Sequence, residues 1–276
     1  MTTTDPNPPD PIVVEHRVAS DAPFFIGMAV LGGTYVLLII LLLLADAAYT
    51  TPDHMLAALA KPAIRNSIQL TLITCTLSTI FSLWVAVPIG YLLSRYRFPG
   101  RNFIDALLDI PIVLPPLVVG LSLLILFQFW PFSSAAPWIV YQVPAVILAQ
   151  FSVAAAFAVR TMRATFDQID ARREQVALTL GCSRARAFSQ VVLPEARRGM
   201  LTAGTLAWAR SLGEFGPLLV FASTTRNKTE VLSTTVYLEL TVGDLEAAVA
   251  VALIMVAAAV TVLVIARMWG SRDLSI

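Results

Sequence analysis

The sequence predicts an all-α integral membrane protein with about six transmembrane helices. Two features of composition and one of patterning predict it. Hydrophobic residues make up 57% of the 276-residue chain and charged residues only 13%, about half the charge that covers a soluble domain. The net charge is +1, so no global field recruits nucleic acid. The apolar residues gather in uncharged runs long enough to cross a bilayer, whose ~30 Å hydrocarbon core takes about 20 residues of helix.

The first run, Phe24 to Ala45, is followed by Ala45-Asp46-Ala47, which mimics a signal-peptide cleavage site. The run has 22 residues, and the segment before it holds Asp5, Asp10, Glu15 and Asp21 against Arg17 alone. It is therefore too long for a signal h-region and lacks the basic n-region, so residues 24–45 are expected to stay as the first transmembrane helix. The Pro-rich residues 1–23 are expected to form a disordered cytoplasmic tail.

Residues 64–267 are the expected core domain, with the other five crossings. Asn66 to Ser94 carries no charge and holds one crossing, with Pro88 as a tolerated kink. Ile110 to Val159 carries no charge over 50 residues and holds two. The break between those two falls at Trp130-Pro131-Phe132-Ser133-Ser134, closed by Trp138 and Tyr141, rings that suit the membrane interface. A fifth apolar stretch runs from Gly199 to Thr225, interrupted by Arg210 and Glu214, and a sixth from Ala247 to Ala266.

Six crossings place both termini on one side, and the basic residues choose that side. Arg95, Arg97 and Arg101, the eight arginines of the 160–200 loop, and Arg17, Arg267 and Arg272 in the tails make fourteen on one side. Lys61, Arg65, Arg226 and Lys228 are the four on the other. The first side is expected to be cytoplasmic. Cys75 falls in a predicted crossing and Cys182 in a cytoplasmic loop, so they read as neither a disulfide nor a metal pair. His16 and His54 lie outside the apolar runs.

The loop at residues 164–200 carries the densest signal. Asp170 can cap a short helix with its side-chain oxygen, and Gly181 can end it in the left-handed conformation. Ser183 can cap a second helix, which Pro194 should terminate or kink. Val176, Ala177 and Leu180 are expected on one face of the first helix. Two Arg-rich helices about a Gly turn also describe a DNA-binding helix-turn-helix. That fit is poor, because both ends of the loop run into membrane helices and no third helix supports it.

In its spacing the segment resembles the cytoplasmic loop of bacterial ABC importer permeases of type I: Glu-Ala-Ala, three residues, Gly, nine residues, Ile, one residue, Leu-Pro. Gln175, Val176 and Ala177 fill the Glu-Ala-Ala places, Gly181 the Gly place and Val191 the Ile place, and Leu193-Pro194 closes the motif. Gln175 stands where Glu is usual, with Glu174 beside it. Ser211-Leu-Gly-Glu-Phe-Gly216 with the residues that follow to Ala222, Asp109 to Gly120, and Glu230 to Glu239 before Gly243-Asp244 resemble the fifth helix, the third helix and an external segment of the molybdate, tungstate and sulfate branch. The resemblance implies a coupling helix, in the loop between helices 4 and 5, that docks into a groove on a separate ATPase. Glu174, Gln175, Val176, Ala177, Gly181, Val191, Leu193 and Pro194 are its implied ATPase-coupling residues.

Arg210 and Glu214 lie four apart and share a helix face. Charge within a crossing is costly unless paired or wet, and marks an interior path by default. Arg210, Gly213, Glu214, Phe215 and Gly216 are therefore candidates for the translocation path or its gate; a pair that simply locks two helices explains Arg210 and Glu214 as well. Pro115 and Pro116 free backbone groups that protein or water must re-satisfy, which suits a cavity-lining segment or a bent helix. Asp109 reads as interfacial.

The expected function is a permease subunit that moves an oxyanion (molybdate, tungstate or sulfate) inward by alternating access. The resemblance implies two ATPase subunits, a second permease copy, identical or related, and an extracytoplasmic substrate-binding protein, in the cytoplasmic (inner) membrane of a bacterium or archaeon. The chain contains no Gly-x-x-x-x-Gly-Lys-Ser/Thr segment, so ATP and Mg²⁺ are expected on the ATPase, with no cofactor on this chain. The alternatives are an ABC permease for a metal ion or small organic solute, or an ion-driven secondary transporter. The latter usually shows inverted repeats and midplane acidic sites, and neither is evident. A membrane-embedded enzyme would need a nucleophile with its base, or a metal cluster, at membrane depth.

Overall fold

The computed structural model describes residues 21–271. The expectations for the N-terminal tail before residue 21 and for Arg272 lie outside the described residues. Residues 1–46 and 47–276 form two compact units.

The first unit carries most of α1 (Ala22–Tyr49). Its 28 residues include no buried side chain, and at 1.5 Å per residue they reach about 42 Å. Leu31, Leu37 and Leu42 are more than half exposed. A helix apolar on every side is stable where lipid is the solvent.

The second unit is a helical bundle. It begins with the short α2 (Pro52–Ala60), whose N-terminus is capped by the Thr51 hydroxyl accepting from His54 N–H at 3.3 Å. Then comes α3 (Pro62–Arg95), 34 residues long, which runs unbroken through Pro88. α4 (Arg101–Val113) and α5 (Pro116–Leu126) follow, bent by 112° across Leu114-Pro115. A 3₁₀ turn (Phe132–Ser134) and α6 (Ala136–Ile139) lead into α7 (Val143–Gln168). Trp130 and Trp138 in that connection stand more than three-quarters exposed, as interfacial rings should.

The centre of the bundle is the α3–α7 pair. α3 buries Ser67, Thr71, Cys75, Ser78, Ser82, Ala86 and Gly90 along one stripe, and α7 buries Ala145, Ala149, Ala154 and Ala158. Small residues let membrane helices approach closely, with hydroxyls as polar glue. Ser78 donates to the Ile147 carbonyl at 3.0 Å. At Gly90 a Cβ would lie 2.9 Å from the Arg163 backbone nitrogen, so only glycine fits.

Beyond the loop, α11 (Arg197–Leu212) packs on both α3 and α7, and α12 (Leu232–Val242) and α13 (Leu245–Ser271) complete the bundle. The large apolar side chains Ile80, Trp84, Phe103, Leu107, Val260 and Leu263 face outward, where a bilayer would cover them.

Four described helices are long and apolar enough to cross a membrane: α1, α3, α7 and α13. The α4–α5 pair makes a fifth if the bent helices form one span. Two expectations change. The helix expected to begin at Ile110 starts at Arg101, because α4 is amphipathic and turns Asp105 and Asp109 toward α7, where they pair with Arg160 and Arg163. The stretch Gly199–Thr225 is not one helix. α11 stops at Leu212, and after Gly213 to Pro217 the chain resumes as a π-turn (Leu218–Ala222).

Candidate functional site

The loop after α7 folds as a short helical hairpin. Asp170 accepts from Arg172 N–H at 2.9 Å and caps α8 (Ala171–Thr179), as the sequence predicts. Gly181 has φ +86°. Its N–H donates to the Leu178 carbonyl and that of Cys182 to the Ala177 carbonyl, both at 3.0 Å; this Schellman pair uses two carbonyls that the helix end would strand. Ser183 caps α9 (Arg184–Ala187) by accepting from Arg186 N–H. The helix then widens to a π-turn (Phe188–Val192) before α10 (Leu193–Glu195), which contains Pro194. Proline cannot donate to the preceding turn, and a widened turn is one way a helix absorbs it. Pro194 thus distorts the second limb without ending it.

The faces of α8 differ from the sequence expectation. Ala177 is buried, but Val176 and Leu180 are 57% and 80% exposed. They share an outward face with Gln175, while Glu174 and Ala177, three apart, turn inward. Glu174 therefore does not join the outer surface with Gln175. Its Oε1 accepts from the Tyr91 hydroxyl, and its Oε2 lies 3.7 Å from Arg95 Nε. Arg95 also donates to the Ile169 carbonyl at 2.8 Å. Tyr91 packs edge-on against Phe188, with centroids 4.7 Å apart, and against Phe166. On the other limb Arg184 donates to the Tyr96 hydroxyl at 2.8 Å and lies over its ring. Val191 and Leu193 are half-buried, and Val192 between them is the residue that enters the core.

The second set of candidates converges from two elements. Gly216 packs against the α4–α5 break: a Cβ there would meet Pro116 Cβ at 2.8 Å and Leu117 N at 2.9 Å. Reciprocally, a Cβ on Gly120 would meet Pro217 Cα at 2.6 Å. Pro116, Leu117 and Gly120 on one side and Gly216 and Pro217 on the other are thus one packed junction, while Pro115 and Gly213 make none of these contacts. Arg210 Nη1 lies 2.9 Å from Glu214 Oε2, with Glu214 fully buried and Arg210 partly exposed over Phe157. Ser233 donates to the Glu214 carbonyl at 2.7 Å, and Phe215 packs on Tyr237. Gly213 is exposed.

The far end of α3 carries an ion cluster that sequence reasoning passed over. Lys61 bonds Glu239 at 2.9 Å and Asp244 at 2.7 Å, and Arg226 reaches Glu239 at 3.0 Å. Partial burial opposes the Lys61 charge, but the bonds to Asp244 and Glu239 outweigh it and raise its pKa. The bond from Lys61 holds the Asp244 carboxyl below its usual range. Burial raises that of Glu230, against the pull of Thr235 and Arg226. The hint in the sequence is the gathering of Arg226, Lys228, Glu230, Glu239, Asp244 and Glu246 in a chain that is only 13% charged. Within the bundle Arg95, Arg160, Arg163, Arg173 and Arg184 lie toward one end of α3, and Lys61 and Arg226 at the other.

Residues 86–273 match the family described as binding-protein-dependent transport system inner membrane component. The chain is 32% identical to the sulfate transport system permease protein CysT of Escherichia coli, over 74% of this chain and 76% of that one. It is 32% identical to the molybdenum transport system permease protein ModB of the same organism, over 75% and 93%. It is 38% identical to the molybdate/tungstate transport system permease protein WtpB of Pyrococcus furiosus, over 59% and 63%. Among solved structures, a chain of a bacterial alginate ABC transporter shares the fold with a TM-score of 0.72 at 18% identity, covering 92% of this chain and 97% of that one.

Proposed function

We propose, from the premise that this chain belongs to the family of binding-protein-dependent transport system inner membrane components, that it is the permease subunit of an ABC importer carrying a tetrahedral oxyanion inward. The observation that carries this reading is the similarity to sulfate and molybdate/tungstate permeases over most of the chain. Six crossings follow if α4–α5 is one span and α11 with the π-turn Leu218–Ala222 is another. Both chain ends and the hairpin are then cytoplasmic, in the inner membrane of a bacterium or archaeon.

In this reading the outward face of α8, with Gln175, Val176 and Leu180, docks on an ATPase subunit that holds ATP and Mg²⁺. A small exposed apolar face on a helix fixed at both ends suits a groove on a partner. Two ATPase subunits, a second permease copy and an extracytoplasmic binding protein complete the assembly. The junction of Pro116, Gly120, Gly216 and Pro217 is the place where motion reaches the path, because backbone there touches backbone without intervening side chains. Arg210 and Glu214 sit beside it as a gate pair.

The test is uptake of labelled molybdate, tungstate and sulfate into vesicles holding this chain with its ATPase and binding protein. ATP-dependent uptake of at least one oxyanion is expected. Folded complexes that bind the ATPase yet import none of the three would remove the oxyanion reading.

A further inference from the structure

The hairpin is joined by the chain to α7 at one end and to α11 at the other, but α3, the longest helix of the bundle, reaches it through side chains. We propose that Glu174, Tyr91 and Arg95 form a latch that hands displacement of α8 to α3, and that Glu174 is a positioning residue of the transport cycle rather than an ATPase-docking one. The inference rests on the reading of α8 as the docking helix.

The geometry assigns opposite duties to the two faces of α8. Val176 and Leu180 face out and are free to meet a partner. Glu174 is buried, with 10% of its side chain exposed, and Arg95 is nearly as enclosed at 12%. A carboxylate withdrawn from water is costly unless a cation or hydrogen bonds compensate it. The Tyr91 hydroxyl and Arg95 supply these, and both belong to the last two turns of α3. Arg95 then continues to the Ile169 carbonyl, at the hinge between α7 and α8. Tyr91 is held between Phe188 of the second limb and Phe166 of α7, so its hydroxyl has little freedom to follow Glu174 without carrying α3 along. Arg184 on Tyr96 provides a second, more exposed tie from the other limb. Glu174 on one limb of the hairpin and Arg184 on the other thus grip the same helix end. From there the close α3–α7 contact at Gly90 transmits movement without slack, because backbone meets backbone with no flexible side chain between.

The experiment uses the full importer in vesicles, with wild-type, Glu174→Ala, Glu174→Gln and Tyr91→Phe chains. ATPase co-elution, ATP hydrolysis and uptake are read together, with backbone hydrogen exchange over residues 88–96 before and after ATPase addition. The expected result is that all variants still bind the ATPase. Glu174→Ala and Tyr91→Phe should hydrolyse ATP at near wild-type rate but raise ATP spent per oxyanion imported by about tenfold, within the usual range of coupling between sites. Glu174→Gln keeps an acceptor for Tyr91 and should lose less. ATPase addition should slow exchange at 88–96 in the wild type and not in Glu174→Ala. Tyr91→Phe removes one oxygen and keeps the ring packing, so it decides the matter if Glu174→Ala fails to assemble. Unchanged stoichiometry with unchanged exchange response would overturn the latch. Loss of ATPase binding in Glu174→Ala from a folded permease would overturn it too, by making Glu174 a docking residue. A wild-type chain that imports no oxyanion contradicts the proposed substrate class instead, and the exchange response still decides the latch.

Discussion

Substituting alanine at Gly120 or Gly216 tests the junction at the α4–α5 break most sharply. A Cβ on Gly120 would sit 2.6 Å from Pro217 Cα and 2.9 Å from its carbonyl oxygen, and one on Gly216 would sit 2.8 Å from Pro116 Cβ. Carbon atoms rest about 3.5–4.0 Å apart, so the two segments must part by roughly 0.7–1.4 Å. The opposing atoms are backbone or proline ring, with no rotamer to give way. Such overpacking costs about 1–3 kcal/mol. For a chain of this size that is a fall of about 2–12 °C in thermal midpoint. Gly213 is the internal control, since its Cβ would meet nothing nearer than the Ala209 carbonyl at 3.9 Å. Thermal unfolding in detergent, followed by size-exclusion fluorescence, should rank Gly120→Ala and Gly216→Ala well below Gly213→Ala. Equal midpoints for all three would refute the close junction.

Other expectations follow from the same structure. Gly181→Val forces a β-branched residue to φ +86°, at about 1–2 kcal/mol, but meets no neighbour within 4 Å. The chain should insert normally, yet its assembly with the ATPase should hydrolyse ATP without uptake; normal substrate-stimulated hydrolysis and uptake in vesicles would count against the lever. Glu230 has its carboxyl pKa raised by burial, so its ionised form costs stability above the ordinary carboxylate range, ~4.3. Glu230→Gln should raise the thermal midpoint at pH 8, with the gain fading as pH falls toward that range. The Lys61–Asp244 pair has the opposite sense at each end. Asp244 is lowered, so its contribution is lost on acidification through its folded pKa; Lys61 is raised, so its contribution is lost in strong alkali above ~10.4. Lys61→Met should therefore lower stability across neutral pH by under about 1 kcal/mol, read as a lower thermal midpoint, the difference vanishing at both extremes.

What was legible in the sequence is what local chemistry decides. The helix read as 24–45 is Ala22–Tyr49, because an uncharged apolar run satisfies its backbone internally only as a helix. Asp170, Gly181 and Ser183 cap the helices assigned to them, because caps depend on residues two to five positions away. The Pro115-Pro116 break is likewise local. The inward turn of Glu174 was not legible, since the face a short helix buries depends on the partner it meets; the pairing of Glu174 with small Ala177 three residues on was the one available signal. The partners of Asp105 and Asp109 lie over 50 residues away on α7, and the contact surfaces of Gly90 and Gly120 belong to other helices, so spacing could not reveal them. The break at Gly213–Pro217 divides a stretch read as one crossing, because the close packing of Gly216 on Pro116 is a tertiary constraint.

The most direct measurement counts ATP hydrolysed against oxyanion imported in the same vesicles, for the wild type and for Leu180→Asp on the outward face of α8. Leu180 is 80% exposed and supports no core, so the variant should fold as the wild type does. The expected result is ATP-driven oxyanion import by the wild type, and loss of both ATPase binding and import in the variant, from a permease of unchanged thermal midpoint. Import by Leu180→Asp at the wild-type ratio of ATP to oxyanion would contradict the assignment of this hairpin as the point where the ATPase drives transport.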